Sequence, residues 1–253
     1  MKKVLTTVAL AAAALMASAG AQAGVLRTTL DFETPIDSSP FLSYPGSPLL
    51  GHGDEFYQPG IAGHTMFFDP FSNAAGALAG DFVGTIGTSA DICAGFSCPA
   101  NNSTNYLTLL DDGAVVFGAN DGFRFSVKSF SASWVGNGDP LQATPGFVRL
   151  QGMRGGVSTI ATFALTGLDA NGQLNFTNIG TGAFGNTEFD YVYAYGFACP
   201  PVGGGTTCSS FSTDRAQFAL DDIVVEHVPE PASLALLSVA GLAAFGARRR
   251  RAV

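Results

Sequence analysis

Charge is scarce in this chain. Asp, Glu, Lys and Arg make up 13% of its 253 residues, and only twelve residues are basic. So few cations leave no surface able to neutralise a phosphate backbone, which excludes nucleic-acid binding. Histidine is rarer still, with His52, His64 and His227 alone. No His-Glu-x-x-His pair, Gly-x-Ser-x-Gly elbow or Cys-x-x-Cys spacing occurs. That removes the helix-borne zinc hydrolase, the α/β-hydrolase nucleophile and the short-spaced zinc site. Acidic residues are numerous enough for a glycoside-cleaving pair, but such a pair is defined by its separation in space and leaves no mark in the sequence. No catalytic constellation stands out, and the chain reads as non-enzymatic. No internal repeat of fixed period and no long amphipathic helix pattern is present either.

What is there begins at the two ends. Lys2 and Lys3 precede an apolar run from Val4 to about Ala17, and Ala21-Gln22-Ala23 supplies a small-x-small cleavage pattern. The expectation is a signal peptide over 1–23, cut before Gly24. At the other end, Pro229-Glu230-Pro231 is followed by the apolar run Ala232 to Ala247 and by Arg248, Arg249, Arg250 and Arg251. As a helix, sixteen residues reach roughly 24 Å, short of the ~30 Å hydrocarbon core. The arginines can snorkel to make up part of the difference, and they hold such a segment on the cytoplasmic side. The segment has no charged face, and the prolines break the chain before it, which argues against a helix docked on the domain.

Between the ends lie about 205 residues, 24–228, enough for one domain with a sizeable core. This stretch keeps six basic residues against nineteen acidic ones, a net charge near −13. An acidic surface suits solubility outside the cell and the binding of divalent cations. Four cysteines sit in Gly/Ser/Pro-rich loops, and of three possible connectivities the local pairs Cys93–Cys98 and Cys199–Cys208 are expected in an oxidising compartment. The sharper alternative is one zinc held by all four thiolates.

The interior reads as strands and turns. Strands are expected at Leu26 to Phe32, in the hairpin Tyr106–Leu110/Ala114–Gly118 around Asp111-Asp112-Gly113, and at Phe123 to Val135. More follow at Phe147 to Met153, and at Val157 to Thr166 joined to Gln173–Ile179 by the hairpin turn Asp169-Ala170-Asn171-Gly172. The last are Phe189 to Phe197 and Gln217 to Glu226. Thr34 to Gly63 reads as a long loop with one short edge strand near Asp54 to Tyr57. About ten short strands argue for an all-β fold, an antiparallel β-sandwich of jelly-roll type.

The three-part C-terminus resembles the PEP-CTERM sorting tail of exported Gram-negative proteins. Gln217-Phe218-Ala219-Leu220-Asp221, just before it, resembles the signature of that family's QFxxD group. The resemblance implies that an exosortase-type transpeptidase recognises Pro229-Glu230-Pro231 and removes a tail held transiently in the inner membrane. It also implies an envelope or extracellular address and association with exopolysaccharide or biofilm. More loosely, Asp31-Phe32-Glu33 and Phe218 to Ile223 are similar to the first and last strands of jelly-roll carbohydrate-binding modules, where a carboxylate from each end commonly ligates structural calcium. Calcium takes six to eight oxygens in forgiving geometry, and pairing of the terminal strands would bring Glu33 to Asp221 or Asp222. Trp134, the only tryptophan, and Tyr191, Tyr193 and Tyr195 are the candidates to stack sugar rings, with Tyr44 and Tyr57 beside them. The period-two tyrosine stripe reads either as a core face or as a half-exposed binding face. His52, Asp54, Glu55 and His64 form a loop cluster with metal-ligating chemistry but no ligand spacing. Asn101, Asn102 and Asn175 stand in glycosylation sequons.

Overall fold

Short runs of β-branched and aromatic residues, cut by glycine and proline, make strands that alternate between an inward and an outward side. The computed structural model describes residues 24–33, 43–44, 47–93, 97–110, 113–136, 146–199, 208–211 and 216–229. The expected leader and the tail from Glu230 onward lie outside them. In chain order the strands are β1 (Leu26–Leu30), β2 (Leu49–Gly51), β3 (Phe56–Pro59), β4 (Thr65–Ser72), β5 (Phe82–Gly87), β6 (Tyr106–Leu109) and β7 (Gly113–Ala119). Then come β8 (Ser126–Trp134), β9 (Gly146–Arg154), β10 (Val157–Leu165), β11 (Thr177–Gly180), β12 (Tyr191–Ala198) and β13 (Phe218–His227). One four-residue helix, α1 (Ser89–Ile92), is capped at both ends of its first turn by Thr88 and Asp91.

The strands form two antiparallel sheets. The first runs β11-β8-β13-β6-β5-β2, with β1 also pairing β13; the second runs β10-β9-β12-β7-β4-β3. Phe130, Val127, Leu107, Leu109, Phe218 and Leu220 from the first meet Phe68, Phe117, Val115, Val148, Leu150 and Val192 from the second in one cluster. Residues Arg27–His227 make one compact unit around it. Early in the chain, β3–β4 and β5–β6 are consecutive strands paired within one sheet. From β6 onward the chain changes sheet after β6, β7, β8, β10, β11 and β12 and stays in the same sheet from β9 to β10. That pair is a hairpin closed by Gly155 and Gly156, at φ +54 and +81, the left-handed backbone a two-residue turn requires.

Two expected hairpins are therefore corrected. β6 and β7 belong to different sheets, as do β10 and β11. The inward residues Leu107 and Leu109 face Val115 and Phe117 across the core, which only a sheet-to-sheet crossing allows. Gly113 makes that crossing possible through closeness rather than through φ, since a Cβ there would lie 2.5 Å from the Val83 carbonyl oxygen and 2.6 Å from that of Leu110. The Asp169–Gly172 turn does form, with Asp169 Oδ1 accepting from the Asn171 and Gln173 amides, but the chain leaving it enters the other sheet. The long loop expected over Thr34 to Gly63 contains two strands, β2 and β3, each at a sheet edge. Cys93 is bonded to Cys98 and Cys199 to Cys208.

Strand approach is tightest at Gly84, where β5 pairs β6. A Cβ there would sit 2.2 Å from the Thr108 carbonyl oxygen, a backbone atom that cannot rotate away. Gly84→Ala is expected to cost about 2–3 kcal/mol in urea unfolding through forced separation of β5 and β6. An unchanged midpoint would refute this packing.

Candidate functional site

The first candidate lies where the chain's first and last strands meet. β1 runs beside β13, and the chain kinks directly after β1 at Phe32, a buried ring held at φ +59. A bulky residue in the left-handed region is strained, and such strain persists only where the surroundings dictate it. Opposite, β13 breaks register between Asp221 and Val224, with Asp222 at φ +48. The bulge turns Asp221 inward and leaves Asp222 exposed. Asp221 is 2% exposed. Its Oδ2 accepts from Asn102 Nδ2 at 2.7 Å and its Oδ1 from the Asp222 amide at 2.8 Å. Glu33 accepts from the Asn105 amide at 2.5 Å and from Asn105 Nδ2 at 3.2 Å. Burial pushes the Asp221 carboxyl up to about 7, and Asp222 and Glu33 add to the rise against the hydrogen bonds it accepts. The Asp222 and Glu33 charges are near enough to act on Asp221, beside two asparagines that spacing did not suggest. Among the described residues no group of three or more His, Cys, Asp or Glu side chains is arranged to hold a metal by itself. A cation here would draw on amide and backbone oxygens as well.

The second candidate is the outer side of the second sheet. Along β12, Val192, Ala194 and Ala198 are buried while Tyr191, Tyr193, Tyr195 and Phe197 are half-buried on the opposite side. The stripe is therefore the outward face, because the small residues between the rings are those that fit against the first sheet. Tyr191 and Tyr193 meet edge to face at 5.6 Å, Phe71 meets Tyr193 at 6.1 Å, and Phe211 stacks on Tyr195 at 5.2 Å. Tyr195 donates its hydroxyl to Gln151 Oε1 at 3.1 Å, and the Arg149 guanidinium lies 4.3 Å over the Phe197 ring. Register places Asp69 of β4, Val116 of β7, Tyr193 of β12 and Gln151 of β9 in one row across this face. Burial, then the charge of Glu55, push the Asp69 carboxyl above its ordinary range, while His52 pulls it back. Asp69 escaped sequence reasoning. Its signal was the alternation Phe67, Asp69, Phe71 along one side of β4.

Trp134 lies elsewhere. It is 3% exposed, inside the core at the end of β8, with its ring against Gly146. That takes the single tryptophan off any sugar-facing surface. The loop cluster also separates. Asp54 is buried and accepts from the Gly51 amide at 2.7 Å and from Ser43 Oγ at 2.9 Å, fastening the turn before β3. His52 Nδ1 accepts from the Ser72 amide at 3.0 Å. His64 Nδ1 sits 2.6 Å from Asp121 Oδ2, and its ring stacks on Phe123 at 3.8 Å. Asp54, His52 and His64 each have their own structural partner, and among the described residues the four form no shared ligand set.

β13 ends at His227, one residue before Val228 and the Pro-Glu-Pro step. The family model for the PEP-CTERM protein-sorting motif matches residues 227–251. The chain carries a PEP-CTERM protein-sorting motif. No curated protein matches it. The motif supports an exported protein that is sorted by exosortase and associates with the envelope. The match begins where the last strand ends, so the sorting signal follows directly on the folded unit. Within the motif, Pro229 is the last described residue. Glu230, Pro231, Arg248, Arg249, Arg250 and Arg251 lie outside the described residues. Among the described residues, no helix is long and apolar enough to cross a membrane.

Proposed function

We propose that this chain is a non-catalytic matrix protein that binds extracellular polysaccharide through the outer face of its second sheet. The observation that carries the reading is the outward tyrosine stripe. Aromatic rings with wet hydroxyl rims offer flat apolar faces for pyranose rings and polar edges for their hydroxyls. Tyr191, Tyr193 and Tyr195 stand half-buried in a row, so each keeps an open side. The strand order supports a jelly-roll architecture for the last eight strands. β6-β13-β8-β11 and β7-β12-β9-β10 are the two four-stranded layers that doubled Greek-key winding produces.

Calcium at Glu33, Asp221 and Asp222 is the structural cofactor in this reading. Its support is a buried carboxylate with no cation beside it among the described residues, near the charges of Asp222 and Glu33. Its present partners, Asn102 Nδ2 and the Asp222 amide, are N–H donors that a cation would have to replace. The apolar run Ala232 to Ala247 would hold the chain in the inner membrane until exosortase cuts beside Pro229-Glu230-Pro231. A second reading, a structural matrix protein with no specific ligand, draws on the net charge near −13. Retention of the exported protein on exopolysaccharide from its host tests the choice. Saturable binding that persists at 0.5 M salt supports the sheet face, whereas binding abolished by that salt favours bulk charge alone.

A further inference from the structure

The outer face is not uniform. Its β9 side carries Arg149 over Phe197, and its β3–β4 side carries two carboxylates among rings. Glu55 immediately precedes β3, and continuing the β3–β4 register from Tyr57↔Phe67 sets it opposite Asp69. Asp69 Oδ1 is shut off from solvent and has no hydrogen-bond partner among the described residues. Every other buried carboxylate described has a partner: Asp54 has Ser43 and Gly51, Asp221 has Asn102, and Glu226 has Arg27 at 2.6 Å and Lys128 at 3.1 Å. An enclosed carboxylate oxygen with nothing to accept from is costly unless a ligand supplies the donor. Phe71 follows on the same side of β4, and across Val116 in the same row lies Tyr193, which Phe71 meets edge to face. Tyr57 stands next to Glu55, close enough for that carboxylate to raise its hydroxyl pKa further after burial. Carboxylates flanked by aromatic faces are the surroundings a desolvated ammonium group favours.

Resting on the polysaccharide reading of this face, we infer that Asp69 and Glu55 take the protonated amine of a free hexosamine unit whose ring stacks on Tyr193. The polymer recognised is then one with de-N-acetylated amino sugars. The amine donates to the half-buried Asp69 carboxylate and to Glu55, and the pyranose lies along the tyrosine stripe. A metal ion fits less well, because the rings would take up positions where it needs oxygen donors.

The test compares two matched oligomers on the exported protein recovered from its host at pH 6. One is a β-1,4-linked glucosamine hexamer and the other its fully N-acetylated counterpart. The expected result is at least tenfold tighter binding of the free-amine hexamer. Asp69→Asn should bring the two to parity without weakening the N-acetylated one, and Glu55→Gln, a change outside the strands, should cut the preference several-fold. Equal affinities in the unsubstituted protein, or a preference that survives Asp69→Asn and Glu55→Gln, would overturn the inference. If both hexamers bind equally and Tyr195→Ala abolishes both, the amine site fails while the polysaccharide face stands. If neither hexamer nor host exopolysaccharide binds, both readings fail together.

Discussion

Without divalent cations, the domain is expected to lose stability as pH rises from about 4 to about 7, and under the calcium proposal added calcium is expected to restore it. The reason is Asp221. Its carboxyl titrates near 7 in the folded chain and near the ordinary 3.8 when unfolded. Between those values the folded state binds the extra proton, so stability is full at the acid end and declines through the folded pKa. The slope limit is about 1.4 kcal/mol per pH unit, and screening around exposed Glu33 and Asp222 reduces the whole loss to on the order of 2 kcal/mol. In the proposed reading, calcium would take the place of that proton. Its stabilisation is therefore larger at pH 8 than at pH 5, an expected rise in Tm of several degrees at millimolar calcium. Asp221→Asn should flatten both responses. Glu226 provides an internal contrast: burial raises its carboxyl, but Arg27 and Lys128 outweigh that and hold it below the ordinary range. Its stabilisation is present at neutral pH and is lost on acidification below about 4. A calcium melt with no shift at pH 8 would remove the calcium reading, and a stability that rises from pH 4 to 7 would contradict the burial of Asp221.

Tyr193→Ala and Tyr195→Ala are each expected to weaken polysaccharide binding by ten-fold or more while leaving the melting temperature within a few degrees. Both rings lie outside the core and face solvent on one side, so their removal opens no cavity between the sheets. Each loses a stacking surface worth about 0.5–1.5 kcal/mol beyond its area, and Tyr195 also loses the hydroxyl that orients Gln151. Tyr195→Phe separates the two contributions, keeping the ring and releasing Gln151. Trp134→Ala behaves oppositely: it should unfold or strongly destabilise the domain, by about 3–5 kcal/mol, because the ring is enclosed. Affinity electrophoresis beside thermal melting reads all four. Tyrosine variants that bind normally would move the binding surface elsewhere.

Much of this architecture was legible as alternation. Tyr191 to Phe197 and Phe147 to Met153 announced strands because period two survives wherever one side of a sheet is buried. Which side was buried was less legible, since rings are ordinary core residues. The deciding feature was the small size of Val192, Ala194 and Gly196, which lets the sheets approach. The Asp-Ala-Asn-Gly turn was found but not the sheets it connects, and Asp111 and Asp112 of the other expected turn lie outside the described residues. A turn fixes local direction, whereas the choice between hairpin and crossing depends on distant strands such as β12 and β13, which occupy the neighbouring positions. Glu33 and Asp221 were paired by the reasoning that first and last strands meet. Asn102 and Asn105 were missed because a loop amide has no spacing to betray it. Asp69 was missed because one carboxylate in an aromatic run resembles an ordinary outward residue until its neighbours are known.

The central claim is export with sorting by a removed C-terminal signal, and intact mass measures it most directly. The protein would be recovered from the host's envelope and medium and weighed with and without reductant. The account predicts a chain beginning at Gly24 and ending near Pro229, gaining about four mass units as Cys93–Cys98 and Cys199–Cys208 are reduced. A species that retains Arg248 to Arg251 would contradict it, leaving a persistent membrane anchor where a cleaved sorting tail was expected.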